Sequence, residues 1–506
     1  MPQYQTKVET DVIVIGYGAA GGTCALTAAR HGAGVLLLEK APEPGGNSLV
    51  SSAMMIYPKQ VEQKEQFVEY LHQVTHGTTP RVLVQTFVDG LLQNPQWFQD
   101  LGGELEVYDY KLSDPSLSYY IPDKTFSQLP AARNLNLELR RLKQTDSVPE
   151  RTGGARVWNL INRNVRAQDN IEVMTGTAVV EIVKNDLGQA IGVIAEHAGE
   201  RFFCKARKGV VMTCGGFEYD PELKTQYLRP QEIQASGWPH NTGDGVRLAQ
   251  KVGAQLWHMD AEASAIGIRP EGWEAGFVLT VRRPGFIYVD SDGDRFVNEA
   301  RLEAHNAGAS IGEFNLPTYK FSRLPSFLIM DEENGRGAPL AMDIFSYNVV
   351  VKGYKWSADN SAEIAKGWIM VAHDMAELSR ITGIEQSALA NTLGGYNAQA
   401  RAGVDRAFGR PPETLKPIDP PYYVAKILPL MYNTQGGPRR DEHARVLDPD
   451  GKPIPHLFAA GECGSIWGFK YQTSTNFSET IVYGRIAGTN AANLPAIENF
   501  NSPQLR

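Results

Sequence analysis

The stretch DVIVIGYGAAGGTCALTAARHGAGVLLLEK, residues 11 to 40, constrains this chain more than any other. Four apolar residues, Val12 to Ile15, run into Gly16-Tyr17-Gly18-Ala19-Ala20-Gly21. An Ala-rich helical pattern follows, and a second apolar run, Val35 to Leu38, ends on Glu39. Strand, glycine turn, helix, strand and terminal acid, in that order, make the βαβ fingerprint of a dinucleotide fold. Gly16 permits the tight turn, Gly18 lets backbone N–H groups approach a pyrophosphate, and Gly21 lets the helix lie close to the strand. The helix N-terminus adds partial positive charge for phosphates. Glu39, about 20 residues on, can accept hydrogen bonds from a ribose diol. In a chain with 49 glycines a GxGxxG alone carries little weight; the flanking strands and the acid give it meaning against an ordinary βαβ turn.

At 506 residues the chain is too long for one simple core, so two or three domains are expected. A formal net charge of −8 without any block of like charges argues against a nucleic-acid or anionic-membrane surface. No apolar run approaches the ~18 residues of a membrane span. The N-terminus, MPQYQTKVET, lacks the apolar core of a secretory signal, so a cytoplasmic location is expected. Cys24, Cys204, Cys214 and Cys463 form no CxxC or CxxCH pair, which disfavours iron–sulfur clusters, c-type haem and structural zinc. Redox chemistry would then rest on an organic cofactor.

After Glu39, Gly45-Gly46-Asn47-Ser48 and Ser51-Ser52-Ala53 read as a loop that brings backbone against a flat or anionic ligand. Helical periodicity over 60–105 precedes an irregular stretch, 106–150, with Tyr119-Tyr120 as a candidate pocket wall. A helix near 154–167 leads to a β-meander over 171–196 and a buried-type strand at Lys208–Thr213 ending in Cys214-Gly215-Gly216. Asp244 either contacts a cofactor or caps the helix that runs to Gly253. Beyond 260 the pattern turns to mixed strands and polar loops, including Phe286–Val289 and Arg295–Glu299, with helices at 361–379 and 385–402. The βαβ pattern is expected to return near residue 423, with a strand over Ile454–Ala460 and a final helix over Ser478–Asn493.

These motifs, in order along nearly the whole chain, resemble one family. The first βαβ, Gly45-Gly46-Asn47-Ser48, Arg295-Phe296-Val297-Asn298-Glu299, Gly436-Gly437, Ala459-Ala460-Gly461-Glu462 and Tyr483-Gly484-Arg485-Ile486-Ala487-Gly488 resemble the fumarate reductase / 3-ketosteroid dehydrogenase flavoproteins. The pattern is most similar to the ketosteroid 4-dehydrogenase branch. The resemblance implies an α/β fold: a Rossmann-like FAD-binding domain in two segments, 1–260 and 423–506, with an inserted α+β cap (substrate) domain, 261–422. It implies FAD contacts from Gly16, Gly18, Ala19, Ala20, Gly21, Glu39, Lys40, Gly46, Asn47, Ser48, Ser52 and Ala53 in the first segment. Val179, Gly215, Asp244, Gly461, Glu462, Ser478, Thr480 and Ile481 would complete the set, with the last helix aimed at the pyrimidine end of the flavin. Residues 45–55 contain no histidine, so the FAD is expected to be non-covalent.

Departures from the family bear on substrate. Counted from local anchors, a carboxylate-binding arginine of the fumarate branch falls on Tyr471, its His-Thr pair on Asn433-Thr434, its His-Pro on Glu262-Ala263, and its proton-donor arginine on Glu303. A C4 dicarboxylate is disfavoured. Tyr471-Gln472-Thr473 resembles the Tyr-x-Ser of the ketosteroid branch, where the pair acts on a carbonyl or relays a proton. The tyrosine base of that branch is missing after Asn298-Glu299, leaving His305, Arg301, Tyr119 and Tyr120 as candidates. The expected activity is an FAD-dependent desaturase of a cyclic ketone such as a 3-ketosteroid or an oxo-cyclohexane compound that passes electrons to an external acceptor, with no nucleic-acid partner and no integral membrane association. An ene-reductase using Arg301 as acid and a non-catalytic flavin-binding protein are the alternatives.

Overall fold

The computed structural model describes residues 4–109, 124–146, 152–229, 232–343 and 345–505. Tyr119 and Tyr120 lie outside the described residues. The first strand, Thr6–Ile15, pairs in parallel with Val35–Leu38 on one side and with Glu200–Met212 on the other. Ile171–Met174 extends the parallel sheet beyond Val35–Leu38, and Pro453–Ala459 extends it beyond Glu200–Met212. Both faces of these strands are covered, which is why Val12–Ile15 and Val35–Leu38 are unbroken apolar runs and not alternating ones. The meander Thr177–Lys184, Ala190–His197 and Glu200–Met212 is antiparallel, as expected from its turn at Asn185-Asp186.

The first helix, Ala19–Arg30, and the last, Asn476–Asn493, lie against each other. A Cβ at Gly484 would come within 2.9 Å of Ala20 O, and one at Gly488 within 2.4 Å of Cys24 O. The Gly-Arg-Ile-Ala-Gly motif is therefore a close-packing surface. It brings the N-terminus of the last helix to the same end of the sheet as the glycine turn.

A second sheet is built around the long strand Tyr422–Thr434. Glu262–Ile268, Ser326–Met330 and Met370–Ala372 pair antiparallel with it, and Phe286–Val289 pairs with Ser326–Met330. In strand pairing, Tyr422–Thr434 thus belongs to the second sheet, and the chain rejoins the first sheet at Arg445–Leu447, not at residue 423.

Two local expectations change. The helix expected over 361–379 is broken into Ser361–Ala365, the strand Met370–Ala372 and Met375–Thr382. Gly367 turns the chain at φ +73°, and Asp374 caps the second helix through Glu377 N. Arg295–Glu299 lies in a polar loop, where a 3₁₀ turn, Glu299–Arg301, follows a bidentate Arg295–Glu299 ion pair. Within 106–150, Leu137–Leu142 pairs with Met55–Pro58 and Leu105–Val107, so that part of the stretch is regular.

Candidate active site

One continuous cleft, about 1940 Å³ including the solvent at its openings, runs from the glycine turn to the junction of the two sheets. Its first wall follows from the βαβ unit. Gly16 turns at φ +99°, and a Cβ on Gly21 would lie 1.9 Å from Gly16 O, so only glycine brings the helix so close to the strand end. Gly18 is the N-cap of the first helix and has no side chain to cap it, which leaves first-turn N–H groups directed at the cleft. Ser48 Oγ accepts from Ala19 N at 3.0 Å and ties the Gly45-Gly46 loop to this turn.

Glu39 accepts Tyr17 N and Ala41 N, each at 2.8 Å. Burial raises its carboxyl from the ordinary range, and these two bonds partly offset the effect. Lys40 Nζ donates to Asp244 Oδ2 at 2.7 Å and to Thr242 at 2.6 Å. Asp244 is the first residue of its helix and Gly243 is the N-cap, so its carboxylate faces the cleft and does not cap.

Midway, Asn47 Nδ2 bridges two buried carboxyls, Glu218 Oε1 at 2.6 Å and Glu462 Oε2 at 3.0 Å, while its oxygen accepts Trp238 N at 2.7 Å. Asn241 also donates to Glu218, and Thr434 N to Glu462. A Cβ on Gly216 would meet both carboxyls, at 2.2 and 2.6 Å. Burial pushes both carboxyls above the ordinary range, Glu462 further because Glu218 lies beside it.

At the junction of the sheets the cleft is lined by Ala304, His305, Met342, Phe345, Tyr432 and Tyr471, among others. The His305 ring packs 4.8 Å from that of Tyr432 and meets that of Tyr471 edge-on at 5.9 Å. Burial, with Glu303 close by, holds both phenols above the ordinary tyrosine range, so they stay protonated. Neither hydroxyl has a hydrogen-bond partner among the described residues. Behind the ring, Glu303 Oε1 is 2.9 Å from His305 Nδ1 and accepts the Thr473 hydroxyl, while Oε2 accepts His305 N at 3.1 Å and Asn306 Nδ2 at 2.8 Å. Burial alone would raise the Glu303 carboxyl; His305 and these hydrogen bonds outweigh it and hold the group low, as carboxylate.

The expected cofactor residues Gly16, Gly18, Ala19, Ala20, Glu39, Lys40, Gly46, Asn47, Ser48, Ser52, Ala53, Val179, Gly215, Asp244, Glu462 and Thr480 all line this one cleft. Gly21, Gly461, Ser478 and Ile481 lie behind its wall. Gly461 turns at φ +71° against Ala20, and Ser478 is the third residue of a helix that starts at Asn476. Among the expected catalytic residues, Tyr471 and His305 face the cleft. Thr473 is buried with its hydroxyl committed to Glu303, and Arg301 is exposed and off the lining. Tyr432, Glu218 and the partnership of Glu303 with His305 were not foreseen. The spacing Glu303-x-His305 is a weak local signal, whereas Thr473 lies 170 residues from Glu303.

A glycine turn at a helix N-terminus, an acid closing the second strand and a long cleft ending in an aromatic chamber are the parts of a dinucleotide-binding site with a substrate chamber beyond it. The chain belongs to the flavoprotein family described as FAD binding domain, whose model matches residues 11–477. It is 28% identical over 500 residues to a probable fumarate reductase of Shewanella frigidimarina, covering 96% of this chain and 75% of that protein. It is 28% identical over 548 residues to a 3-oxosteroid 1-dehydrogenase of Mycobacterium tuberculosis, covering 90% and 93%. Its fold is similar to the crystal structure of a 3-ketosteroid Δ1-dehydrogenase from Sterolibacterium denitrificans in complex with 1,4-androstadiene-3,17-dione, with a TM-score of 0.81 at 21% identity, covering 96% of this chain and 99% of that chain. The protein is an FAD-dependent oxidoreductase of the fumarate reductase / ketosteroid dehydrogenase family, acting on CH–CH groups. The non-catalytic alternative falls away. No described helix is long and apolar enough to cross a membrane.

Proposed function

We propose that the enzyme desaturates a cyclic ketone, forming a C=C bond next to the carbonyl. The observation that carries this reading is the chemistry of the cleft wall: among its described residues the one lysine or arginine is Lys40, already paired with Asp244. A dicarboxylate would need cations to replace its hydration. A neutral ketone needs an apolar chamber and a hydrogen-bond donor for its oxygen, and Met342, Phe345 and the Tyr471 phenol supply them. Arg301 is exposed outside the cleft, which argues against its use as the acid of an ene-reductase.

Gly18, Glu39, Asn47, Ser48, Asp244 and Glu462 would hold FAD, which supplies the two-electron acceptor for hydride. Tyr471 would donate its hydrogen bond to the ketone and strengthen it as the oxygen gains enolate charge, an effect worth roughly 10²–10⁴-fold. The chamber would orient the α and β C–H bonds of one ligand. Thr473 acts through Glu303, not on the carbonyl. Reoxidation would fall to an external electron acceptor.

Anaerobic mixing of the holoenzyme with saturated 3-ketosteroids, substituted cyclohexanones and succinate tests the reading. Loss of the oxidised flavin absorbance with a ketone and not with succinate is expected. Bleaching by succinate alone, or none with any ketone while an enone reoxidises the reduced enzyme, would overturn it.

A further inference from the structure

Desaturation of a cyclic ketone requires a base for the α-proton, and the identity of that base rests on the ketone reading of the cleft. We propose that His305 is this base, acting through Nε2, and that Glu303, buttressed by Thr473 and Asn306, is the positioning residue that fixes its tautomer and its aim.

The geometry determines the tautomer. A carboxylate only accepts hydrogen bonds. Glu303 Oε1 lies 2.9 Å from His305 Nδ1, so Nδ1 carries the proton and the lone pair is on Nε2. Glu303 also grips the backbone N–H of His305, so one carboxylate holds both the main chain and the ring of the same residue. Its remaining acceptor positions are taken by Thr473 and Asn306. Both oxygens are thereby saturated, and the carboxylate cannot rotate away. Tyr432 closes one side of the ring and Tyr471 abuts it edge-on. Nε2 has no partner among the described residues, and His305 lines the cleft beside the phenol assigned to the carbonyl. The two cleft-facing phenols are poor bases because burial keeps them protonated. Among the described residues this leaves the imidazole as the acceptor within the chamber.

In the step, the α C–H bond breaks and its proton passes to His305 Nε2. The electron pair moves into the C–C–O system as an enolate held by the Tyr471 phenol. The imidazolium that forms is stabilised by the Glu303 carboxylate, which itself stays unprotonated. The β-hydrogen would leave with two electrons, for which FAD held in the cleft would be the acceptor, so the oxidation of the ketone balances. The imidazolium returns its proton to solvent.

The test separates proton abstraction from hydride transfer. With FAD kept reduced by dithionite, a saturated 3-ketosteroid or 4-substituted cyclohexanone bound in deuterium oxide can exchange its α-hydrogens but cannot be desaturated. Wild-type holoenzyme is expected to catalyse this exchange, followed by NMR. His305→Ala should lose it by roughly 10³-fold or more. Glu303→Gln, which no longer enforces the tautomer, should lose about 10²–10⁴-fold in exchange and in kcat with KM little changed. Glu303→Asp should recover at least about tenfold over Glu303→Gln, and Thr473→Val should fall between Glu303→Gln and wild type. Flavin content and far-ultraviolet circular dichroism confirm that each variant is folded and loaded. If wild type exchanges and bleaches while Glu303→Gln and His305→Ala both exchange at the wild-type rate, the assignment is overturned and the ketone reading stands. If wild type bleaches with no ketone, the reading itself is overturned and the assignment with it.

Discussion

Arg295 offers the sharpest test of what the Arg-Phe-Val-Asn-Glu motif does. Its guanidinium donates to Glu299 at 2.9 and 2.7 Å and to Asp405 at 3.3 and 3.1 Å. Side-chain exposure is 6% for Arg295 and 0% for both acids. Arg410, equally buried, adds a contact to Glu299 at 3.2 Å, so two cations balance two carboxylates inside the cap. Arg295→Met keeps the volume and removes one cation, leaving Arg410 to serve two carboxylates and a net charge of −1. Removing one partner of a buried ion pair costs about 3–5 kcal/mol. Asp405 retains N–H donors from Ala407, Phe408 and Arg410, which cushions its half of the loss, but the stacking of Arg295 on Tyr396 and Phe408 also goes. We expect a loss of about 4 kcal/mol, the middle of that range. Urea unfolding of the holoenzyme, followed by fluorescence of the cap tryptophans Trp273, Trp356 and Trp368, would measure it at unchanged m-value. Asp405→Asn in the Arg295→Met background deletes the orphaned charge and should recover about 1–2 kcal/mol. The pH dependence has a definite sign. Burial raises the Asp405 carboxyl, but Arg295 and the backbone donors outweigh it and hold it low. The stability it contributes is therefore full above the ordinary carboxylate range and is lost as pH falls through its native value. Wild type should weaken more steeply than Arg295→Met on acidification. A loss under about 1 kcal/mol, or a double variant no better than the single, would refute the buried-network reasoning.

Three further outcomes are expected. Gly21→Ala must push the first helix off the turn, because its Cβ would lie 1.9 Å from Gly16 O; the protein should fold yet purify with little flavin, read from the ratio of visible to near-ultraviolet absorbance. Tyr471→Phe should retain FAD and lose about 10²–10³-fold in kcat with a saturated cyclic ketone, and an unchanged kcat would remove Tyr471 from the carbonyl. The raised Glu218–Glu462 pair stabilises the fold fully below the ordinary carboxylate range and progressively less as pH rises through its native values. The urea midpoint should thus climb as pH falls from above those native values toward the ordinary carboxylate range, at up to about 1.4 kcal/mol per pH unit for one proton, and Glu218→Gln should flatten the climb. Part of the slope should survive in that variant, because buried Glu262 is raised in the same sense.

What the sequence alone determined is local in its physics. The glycine turn, the apolar runs that must be covered on both faces and the acid closing the second strand lie within one stretch of chain. Their register in the sheet, Ile15 beside both Leu38 and Met212, follows from them. The Gly-Gly-Asn-Ser loop and the Ala-Gly-Glu strand end were legible for the same reason, since each is a short piece of backbone with one geometric task. The Arg295–Glu299 segment showed the limit of pattern reading: the motif could be quoted from the sequence, but not that its two charges, four residues apart, are buried and close on each other. The grouping around His305 was legible only in part: Tyr471, Thr473 and His305 stood out one by one, but not what joins them. Glu303 looked like a misplaced arginine until Thr473, from just before the last helix, and Tyr432, from the long strand of the second sheet, closed around its neighbour His305. Asn47 likewise became the bridge between Glu218 and Glu462 only when three distant segments met. A side chain's partner, burial and protonation depend on what packs against it across the fold, and these decided which polar residues could hold a cofactor and which could move a proton.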